Sequence, residues 1–318
     1  MRKCIAVLAI MTSFYIVTNT VASAKINNIR TMHTHGIHMI RKKVHQHNSV
    51  KLIPNIVYAR LGNSPLHMHL LIPKHQRKPR PLILFIKGGG WGYKHPQLAF
   101  SFIPQLVRFA QKGYVVASVE HRTSHEAKFP AQLYDVKAAI RYLKAHAKQF
   151  NIDTKQVGVW GSSSGGHLAA LIGTTGDVPQ LEGREGNLSQ SSRVQAVVDW
   201  YGPTDFLQMN KFPSSVDFDA PNSPESMLIG GPLHENKQKV KMANPMTYVT
   251  PNDPPFLIMH GDKDMRVPYN QSVLLYSALK KAAVKVMMYK IKGAGHGGFT
   301  QENILDTVLK FFDDQLKS

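Results

Sequence analysis

The sequence has almost no cysteine. Its 318 residues contain one, Cys4, which lies in an N-terminal stretch that we expect to be removed. The mature chain would then carry no thiol and no disulfide, so a disulfide-stapled fold is excluded. Stability must come from a buried core. The composition is 43% hydrophobic, and the roughly 290 remaining residues are enough to build such a core.

Long apolar runs are also lacking. The apolar N-terminal run, Cys4 to Val17, is short for a membrane span. It follows Arg2 and Lys3 and precedes Val21-Ala22-Ser23-Ala24, which offers an A-x-A cleavage site. This pattern predicts a secretory signal peptide over residues 1–24, with a membrane anchor as the alternative. We therefore expect a secreted or periplasmic protein without stable membrane insertion once it is processed.

Acidic residues are few, 20 against 39 Lys and Arg, which gives a net charge of +19. Loss of Arg2 and Lys3 with the signal peptide lowers it to +17. A chain this basic could meet nucleic acid, anionic lipid or acidic polysaccharide. The basic residues are scattered, however, and no aromatic-interleaved basic helix or known nucleic-acid module occurs. We interpret the charge as a bias of the proteome or compartment and expect no nucleic-acid partner.

Residues 25–51 form a polar, basic segment with several histidines. Neutral imidazoles at short spacing can bind transition metals. The spacing here is irregular and no cysteine accompanies it, so we interpret the segment as a leader and expect no metal or cofactor in the protein. The histidines are His33, His35, His38, His45 and His47. Ordered structure is expected to begin near Ile53, within a single domain over residues 52–318.

Strand-like and helix-like segments alternate through this domain. The segments IVYARL and PLHMHLLIP flank the turn Gly62-Asn63-Ser64 and predict two strands. The continuous apolar run Leu82 to Ile86 is typical of a strand buried on both faces. Further strands are predicted at 114–120, 157–160, 194–200, 256–260 and 285–291, and helices at 100–112, 131–149, 166–171, 270–283 and 302–316.

This alternation predicts an α/β fold with a mostly parallel central sheet flanked by helices. In such sheets functional sites gather at the carboxyl ends of the strands. Residues 203–251, rich in Pro, Asn, Ser and Asp, follow the sixth predicted strand. We predict that they form a lid-like insertion or substrate wall over that edge.

The most informative stretch is QVGVWGSSSGGHLAAL, residues 156–171. It predicts a strand, a sharp turn with Ser163 at the centre of G-x-S-x-G, and a small-residue helix. The turn is so tight that side chains two positions either side would collide, which explains Gly161 and Gly165. The serine hydroxyl is lifted above the sheet edge beside a helix N-terminus, where negative charge is stabilised. Ser163 is the candidate nucleophile.

A serine nucleophile needs a base, and the base needs an orienting carboxylate. His296 lies in the loop GAGHGG, directly after the last predicted strand, and is the candidate base. The loop after the preceding strand reads HGDKD and supplies two carboxylates. We choose Asp264 as the acid, with Asp262 as the alternative. The chain order Ser163, Asp264, His296 is that of α/β-hydrolases.

The tetrahedral intermediate also needs N–H donors. The run Lys87-Gly88-Gly89-Gly90 follows a buried strand, and bare glycine N–H groups can approach an oxyanion closely. We assign Gly89, Gly90 and the N–H of Ser164 to the oxyanion hole. His167, just after the turn, is expected to be a packed helix residue. Asp205 is a helix-cap candidate first and a substitute acid second.

At this point the sequence resembles the bacterial feruloyl- and acetyl-esterase type of α/β-hydrolase (BD-FAE-like), related to hormone-sensitive-lipase-like carboxylesterases. The resemblance covers nearly all of residues 53–316 and rests on several motifs. These are GGGWG, FPAQLYDVKAAIRYL, GSSSGGHLAAL, VQAVVDWYGPTDF, SPESMLIGGP, ANPMTYV, PPFLIMHGDKD with VP, and GAGHGGF. It implies the triad Ser163, Asp264 and His296, and short-acyl or aromatic-acyl ester substrates, often on plant polysaccharide.

Two positions depart from the family pattern. Lys87 replaces the usual histidine before the glycines, and His121 replaces the usual tyrosine before Arg122. Neither removes a triad residue, so the sequence predicts a secreted serine carboxylesterase that needs no cofactor and acts on a small-molecule or polysaccharide-linked ester. Two rivals are a serine peptidase of the prolyl-oligopeptidase type and a catalytically inactive hydrolase fold used for binding.

Overall fold

The computed structural model describes residues 49–62, 64–74, 77–92 and 102–317. The predicted signal peptide and all five histidines of the leader lie outside these residues. Within the described ranges, no helix is both long and apolar enough to cross a membrane.

The described residues form eight strands in one sheet. They are β1 (Val50–Leu61), β2 (Ser64–Pro73), β3 (Arg80–Ile86), β4 (Val115–Val119), β5 (Ile152–Ser162), β6 (Ala196–Trp200), β7 (Phe256–Gly261) and β8 (Val286–Ile291). Their order across the sheet is β1-β2-β4-β3-β5-β6-β7-β8. The β1–β2 and β2–β4 pairs are antiparallel, and the other neighbours are parallel. The prediction of a mostly parallel sheet is therefore confirmed.

The first strand begins earlier than the sequence analysis placed it. β1 starts at Val50 rather than near Ile53, and Val50 and Lys51 pair with Pro73 and Ile72 of β2. These two residues, which we assigned to the leader, therefore belong to the sheet. The reason is physical: Val50 is almost fully buried and completes the apolar face of the strand.

Nine α-helices occur in the described residues. They are α1 (Ile103–Gln111), α2 (Ala131–Ala145), α3 (Ala147–Phe150), α4 (Ser164–Thr174), α5 (Phe206–Met209), α6 (Pro224–Ile229), α7 (Lys237–Ala243), α8 (Asn270–Lys281) and α9 (Glu302–Leu316). The helix predicted over 131–149 is divided at His146 into α2 and α3. The last helix has the predicted bounds.

Hydrophobic clusters cover both faces of the sheet, and the side chains of β3 contribute to both. Leu84 and Ile86 pack into the cluster beneath α2, α4 and α8, whereas Ile83 and Phe85 pack into the cluster beneath α1 and α9. Side chains of a strand alternate between faces, so a strand covered on both sides reads as one apolar run. This is why Leu82 to Ile86 lacks polar residues.

The insertion predicted over 203–251 contains more structure than its composition indicated. It includes α5, α6, α7 and two short 3-10 helices, Leu233–Glu235 and Pro245–Tyr248. The Asp205 side chain accepts the Leu207 N–H at the start of α5, which confirms the helix-cap assignment. Ser223 caps α6 in the same way. From α6, Pro224 and Met227 line the same cavity as Ser163.

Candidate active site

The turn between β5 and α4 holds Ser163 in a strained conformation. Its φ is 55° and its ψ is −125°, a region that non-glycine residues rarely adopt. A Cβ on Gly161 would overlap the Gly165 carbonyl oxygen, and one on Gly165 would overlap the Ile86 carbonyl oxygen. Glycine is therefore required at both positions, as the sequence analysis predicted. The Ser163 N–H donates to the Trp200 carbonyl at 2.8 Å, which ties the turn to β6.

Ser163, His296 and Asp264 form one hydrogen-bonded chain. His296 Nε2 lies 2.9 Å from Ser163 Oγ, and His296 Nδ1 lies 2.7 Å from Asp264 Oδ2. The carboxylate can only accept, so Nδ1 carries the proton and Nε2 is left to accept from the serine hydroxyl. The residues come from three loops at the carboxyl ends of β5, β7 and β8.

The Asp264 carboxylate is fully buried and fully hydrogen-bonded. Oδ1 accepts the N–H groups of Arg266 at 2.8 Å and Val267 at 2.9 Å. Oδ2 accepts from His296 and, at 3.2 Å, from His260 Nε2. Burial alone would raise the pKa of Asp264, but the hydrogen bonds from the two histidines outweigh it and hold this pKa well below its usual range. The group is therefore an anion at neutral pH.

Asp262, the alternative acid, points elsewhere. Its Oδ1 accepts the Gly293 N–H at 2.6 Å, which braces the loop that carries His296. The contact with His296 is made by Asp264 instead.

His260 is a residue that the sequence analysis missed. It is completely buried at the end of β7. Its Nε2 lies 2.9 Å from the Val267 carbonyl oxygen as well as near Asp264, and its Nδ1 lies 2.7 Å from Ser272 Oγ. Since a carbonyl only accepts, Nε2 must carry a proton and donate to Asp264. The sequence signal for this pair is the spacing His-x-x-x-Asp in the motif HGDKD.

The glycine loop is pinned to the turn by two serine hydroxyls. The Gly88 N–H donates to Ser162 Oγ at 3.2 Å, and the Gly89 N–H donates to Ser164 Oγ at 3.0 Å. The sequence predicts a role for Ser164 only through its backbone N–H, and the structure adds this side-chain contact. Gly89, assigned to the oxyanion hole, has its N–H engaged in this structure. Among the described residues, the N–H groups of Gly90 and Ser164 have no acceptor.

His167 lies outside the site. It is buried in α4, with Nε2 2.7 Å from the Ala243 carbonyl oxygen. Its ring packs between Trp91 and Phe206, at centroid distances of 5.2 and 5.1 Å. Burial lowers the pKa of His167 to about 4, so it stays neutral. The expectation of a packed helix residue is confirmed.

The two residues that depart from the family pattern differ in position. Lys87 lines the cavity beside Ser163, and partial burial lowers the pKa of its amine. His121 is removed from the cavity: its Nδ1 lies 2.8 Å from the Arg122 carbonyl oxygen, and burial lowers its pKa. Of the two departures from the family pattern, only Lys87 therefore lies where it can contact a ligand in the cavity.

Two cavities meet at Ser163. The larger, of about 500 Å³, is lined by His296 and by several cationic and polar side chains. The smaller, of about 70 Å³, has mostly apolar walls, including Trp91, Val216 and Phe218. Gly90 and Arg266 border both cavities, whereas His296 borders only the larger. In the described part of the chain, no group of three or more His, Cys, Asp or Glu could hold a metal ion.

Comparisons with known proteins identify esterases as the similar proteins. The model of the BD-FAE family matches residues 68–279. Esterase LipC of Mycobacterium tuberculosis is 32% identical over 223 residues, which cover 69% of this chain and 53% of LipC. The chain thus spans about half the length of the curated relatives it matches.

Solved structures extend the comparison to nearly whole chains. A truncated form of a carbohydrate esterase from gut microbiota is 34% identical, with a TM-score of 0.78 over 86% of this chain and 99% of its own. The thermophilic esterase Est2 of Thermogutta terrifontis is 25% identical, with a TM-score of 0.68 over 84% of this chain and 92% of its own.

Proposed function

Because this chain belongs to the BD-FAE family of α/β-hydrolases, we propose that it is a serine carboxylesterase that cleaves short-acyl esters through an acyl-enzyme on Ser163. One observation carries the proposal: Ser163 Oγ, His296 and Asp264 are joined by hydrogen bonds of 2.9 and 2.7 Å at the junction of two cavities. Relatives named as esterases support it. The predicted signal peptide extends it to a secreted enzyme.

In the first half-reaction, Ser163 Oγ attacks the ester carbonyl while His296 Nε2 takes its proton. The tetrahedral oxyanion receives hydrogen bonds from the N–H groups of Gly90 and Ser164, and from Gly89 once the Ser164 hydroxyl turns away. His296 then gives the proton to the departing alcohol oxygen, and the acyl group stays on Ser163. In the second half, His296 activates a water that releases the acid and restores the serine.

The proton transfers indicate which part of the ester each cavity holds. The departing alcohol must receive its proton from His296, so the alcohol lies in the larger cavity, which His296 lines. The acyl group then occupies the smaller cavity. Its 70 Å³ equals the space of about five to seven water molecules at about 10–15 Å³ each.

That volume favours acetyl to butyryl groups over a feruloyl group, whose ring, propenoyl chain and methoxy substituent need more room. Est2 has been solved with propionate and with butyrate bound, which supports a short acyl preference. The alcohol cavity is large enough for a sugar, and one structural neighbour is named a carbohydrate esterase. We therefore propose an acylated carbohydrate as the natural substrate class.

The test uses p-nitrophenyl esters of increasing chain length, methyl ferulate and acetylated xylan. We expect kcat/KM to be highest between acetate and butyrate and to fall at least about tenfold by octanoate, a difference of about 1.4 kcal/mol. Ser163→Ala should lose activity by about 10⁶, and the exposed Ser189→Ala should serve as an unaffected control.

Other outcomes separate the rivals. Cleavage of prolyl p-nitroanilides in preference to esters would favour the peptidase. Inactivity of the folded protein towards every ester would favour a binding protein. A preference for methyl ferulate over acetate would show that the cavity assignment is wrong.

A further inference from the structure

The larger cavity has a one-sided charge. The cationic residues Lys87 and Arg266 line it together with His125, and none of its described lining residues is acidic. The undescribed residues before Glu120 add no acidic side chain, since the sequence contains no Asp or Glu before that position. A ligand in this cavity therefore meets Lys87 and Arg266, with no acidic side chain among the described lining residues.

Arg266 is the better placed of the two cationic residues. Its backbone N–H donates to Asp264 Oδ1 at 2.8 Å, so the start of its side chain is fixed beside the triad. The side chain is exposed and borders both cavities. In the described residues, its guanidinium makes no ion pair and no hydrogen bond.

One acidic residue shares the smaller cavity with Arg266. Glu225 is 4% exposed, and its Oε2 is buried without a hydrogen-bond partner. Burial raises the pKa of Glu225 to about 7, an increase that the charge of Arg266 partly offsets, but no salt bridge joins the two side chains in the described residues, and Glu225 is absent from the lining of the larger cavity. The guanidinium therefore remains available to a ligand on the alcohol side. Arginine suits that task because its planar fork can bind a carboxylate through two parallel hydrogen bonds.

We propose that Arg266, supported by Lys87 and His125, recognises a carboxylate on the alcohol portion of the ester. The preferred substrate would then be a short-acyl ester of a uronic-acid-containing carbohydrate. This inference rests on the proposed esterase function and adds a substrate class to it. The carboxylate is chosen because uronic acids carry it on the sugar that the cavity would hold, while a sugar phosphate presents a related anion and is treated as a separate outcome.

The experiment compares acetate release from acetylated methyl glucuronoside and from acetylated methyl glucoside, which differ only in carboxylate against hydroxymethyl. At low salt we expect kcat/KM to favour the uronoside at least about tenfold, the effect of one charge-assisted hydrogen bond at an accessible site. Raising the ionic strength to 0.5 M should shrink this ratio, because exposed charges are screened.

Substitutions at Arg266 test whether this side chain causes the preference for the uronoside. Arg266→Gln should lower the uronoside-to-glucoside ratio about tenfold, mainly through KM, and Arg266→Lys should retain part of it because the charge remains. Lys239→Gln, an exposed substitution on α7 away from both cavities, is the matched control and should leave the ratio unchanged.

A wild-type ratio near one, or a ratio that Arg266→Gln does not change, would overturn the inference. So would a stronger preference for an acetylated glucoside 6-phosphate than for the uronoside. These failures are distinguishable from failure of the esterase proposal, since hydrolysis of the neutral glucoside ester and of p-nitrophenyl acetate would continue. Loss of all ester hydrolysis in the wild type would instead refute both.

Discussion

Replacing Asp264 by asparagine tests the role of the carboxylate with little change in shape. The two oxygens of Asp264 face different partners: Oδ1 accepts two backbone N–H groups, and Oδ2 accepts from His296 and His260. An asparagine at this position has one oxygen and one NH₂ group to place. An NH₂ group facing the Arg266 and Val267 N–H groups would leave buried donors unpaired, at about 1–3 kcal/mol each.

The amide oxygen should therefore take the Oδ1 position, with the NH₂ group towards His296. An NH₂ group donates to Nδ1, which moves the imidazole proton to Nε2. Nε2 then faces Ser163 Oγ as a donor and cannot accept the serine proton. We expect kcat for p-nitrophenyl acetate to fall by about 10⁴ in Asp264→Asn, the size known for a triad held in the wrong tautomer.

Asp262→Asn is the matched control, because the Asp262 side chain accepts the Gly293 N–H and makes no hydrogen bond to His296 in the described residues, and an amide oxygen can accept the same N–H. It should retain turnover within about threefold, a change of under 1 kcal/mol. Thermal melting of each variant checks folding. An Asp264→Asn enzyme within tenfold of wild type, or an equal loss in Asp262→Asn, would refute the assignment of the acid.

Three further predictions concern residues around the site. Lys87→His restores the residue that the family resemblance implies and removes no member of the triad, so kcat for p-nitrophenyl acetate should stay within about tenfold of wild type; a loss as large as that of Ser163→Ala would contradict this. His260→Gln removes a buried donor to Asp264 and should lower kcat about tenfold and shift the pH profile of kcat, whereas a lower melting temperature alone would indicate a purely structural role. Burial raises the pKa of Asp199 to about 6, so between about pH 4 and pH 6 this residue is protonated in the folded state and ionised in the unfolded state; its contribution to the free energy of unfolding should fall by about 3 kcal/mol as pH rises through that range. Asp199→Asn cannot ionise, so this contribution stays constant in the variant. Calorimetry should therefore show the melting temperature of the variant rising relative to that of wild type as pH rises from about 4 to above 6; a difference that does not change with pH would contradict the prediction.

Much of the architecture follows from the sequence because its signals are local. The buried strands read as apolar runs, and α9 has the predicted bounds because its apolar residues recur along one face. The glycines around Ser163 announce the turn by spacing alone. By contrast, α5 to α7 are four to seven residues long, too short for periodicity to reveal.

The details of the site depend on side-chain directions that spacing does not encode. Asp262 and Asp264 stand two positions apart in the same loop, and only the folded backbone turns one towards His296 and the other towards Gly293. The bond from Gly89 to the Ser164 hydroxyl joins residues 75 positions apart, and no local pattern indicates it. His260 had a visible spacing to Asp264, but its burial and its protonated Nε2 follow from the packing around β7.

The central claim is that Ser163 is the nucleophile, and covalent labelling tests it most directly. Phenylmethanesulfonyl fluoride should react once per chain, and peptide mass spectrometry should locate the sulfonyl group on Ser163, with esterase activity lost in proportion to labelling. Ser163→Ala should remain unlabelled. A label on Ser162 or Ser164, or ester hydrolysis that persists while Ser163 is fully modified, would contradict the account.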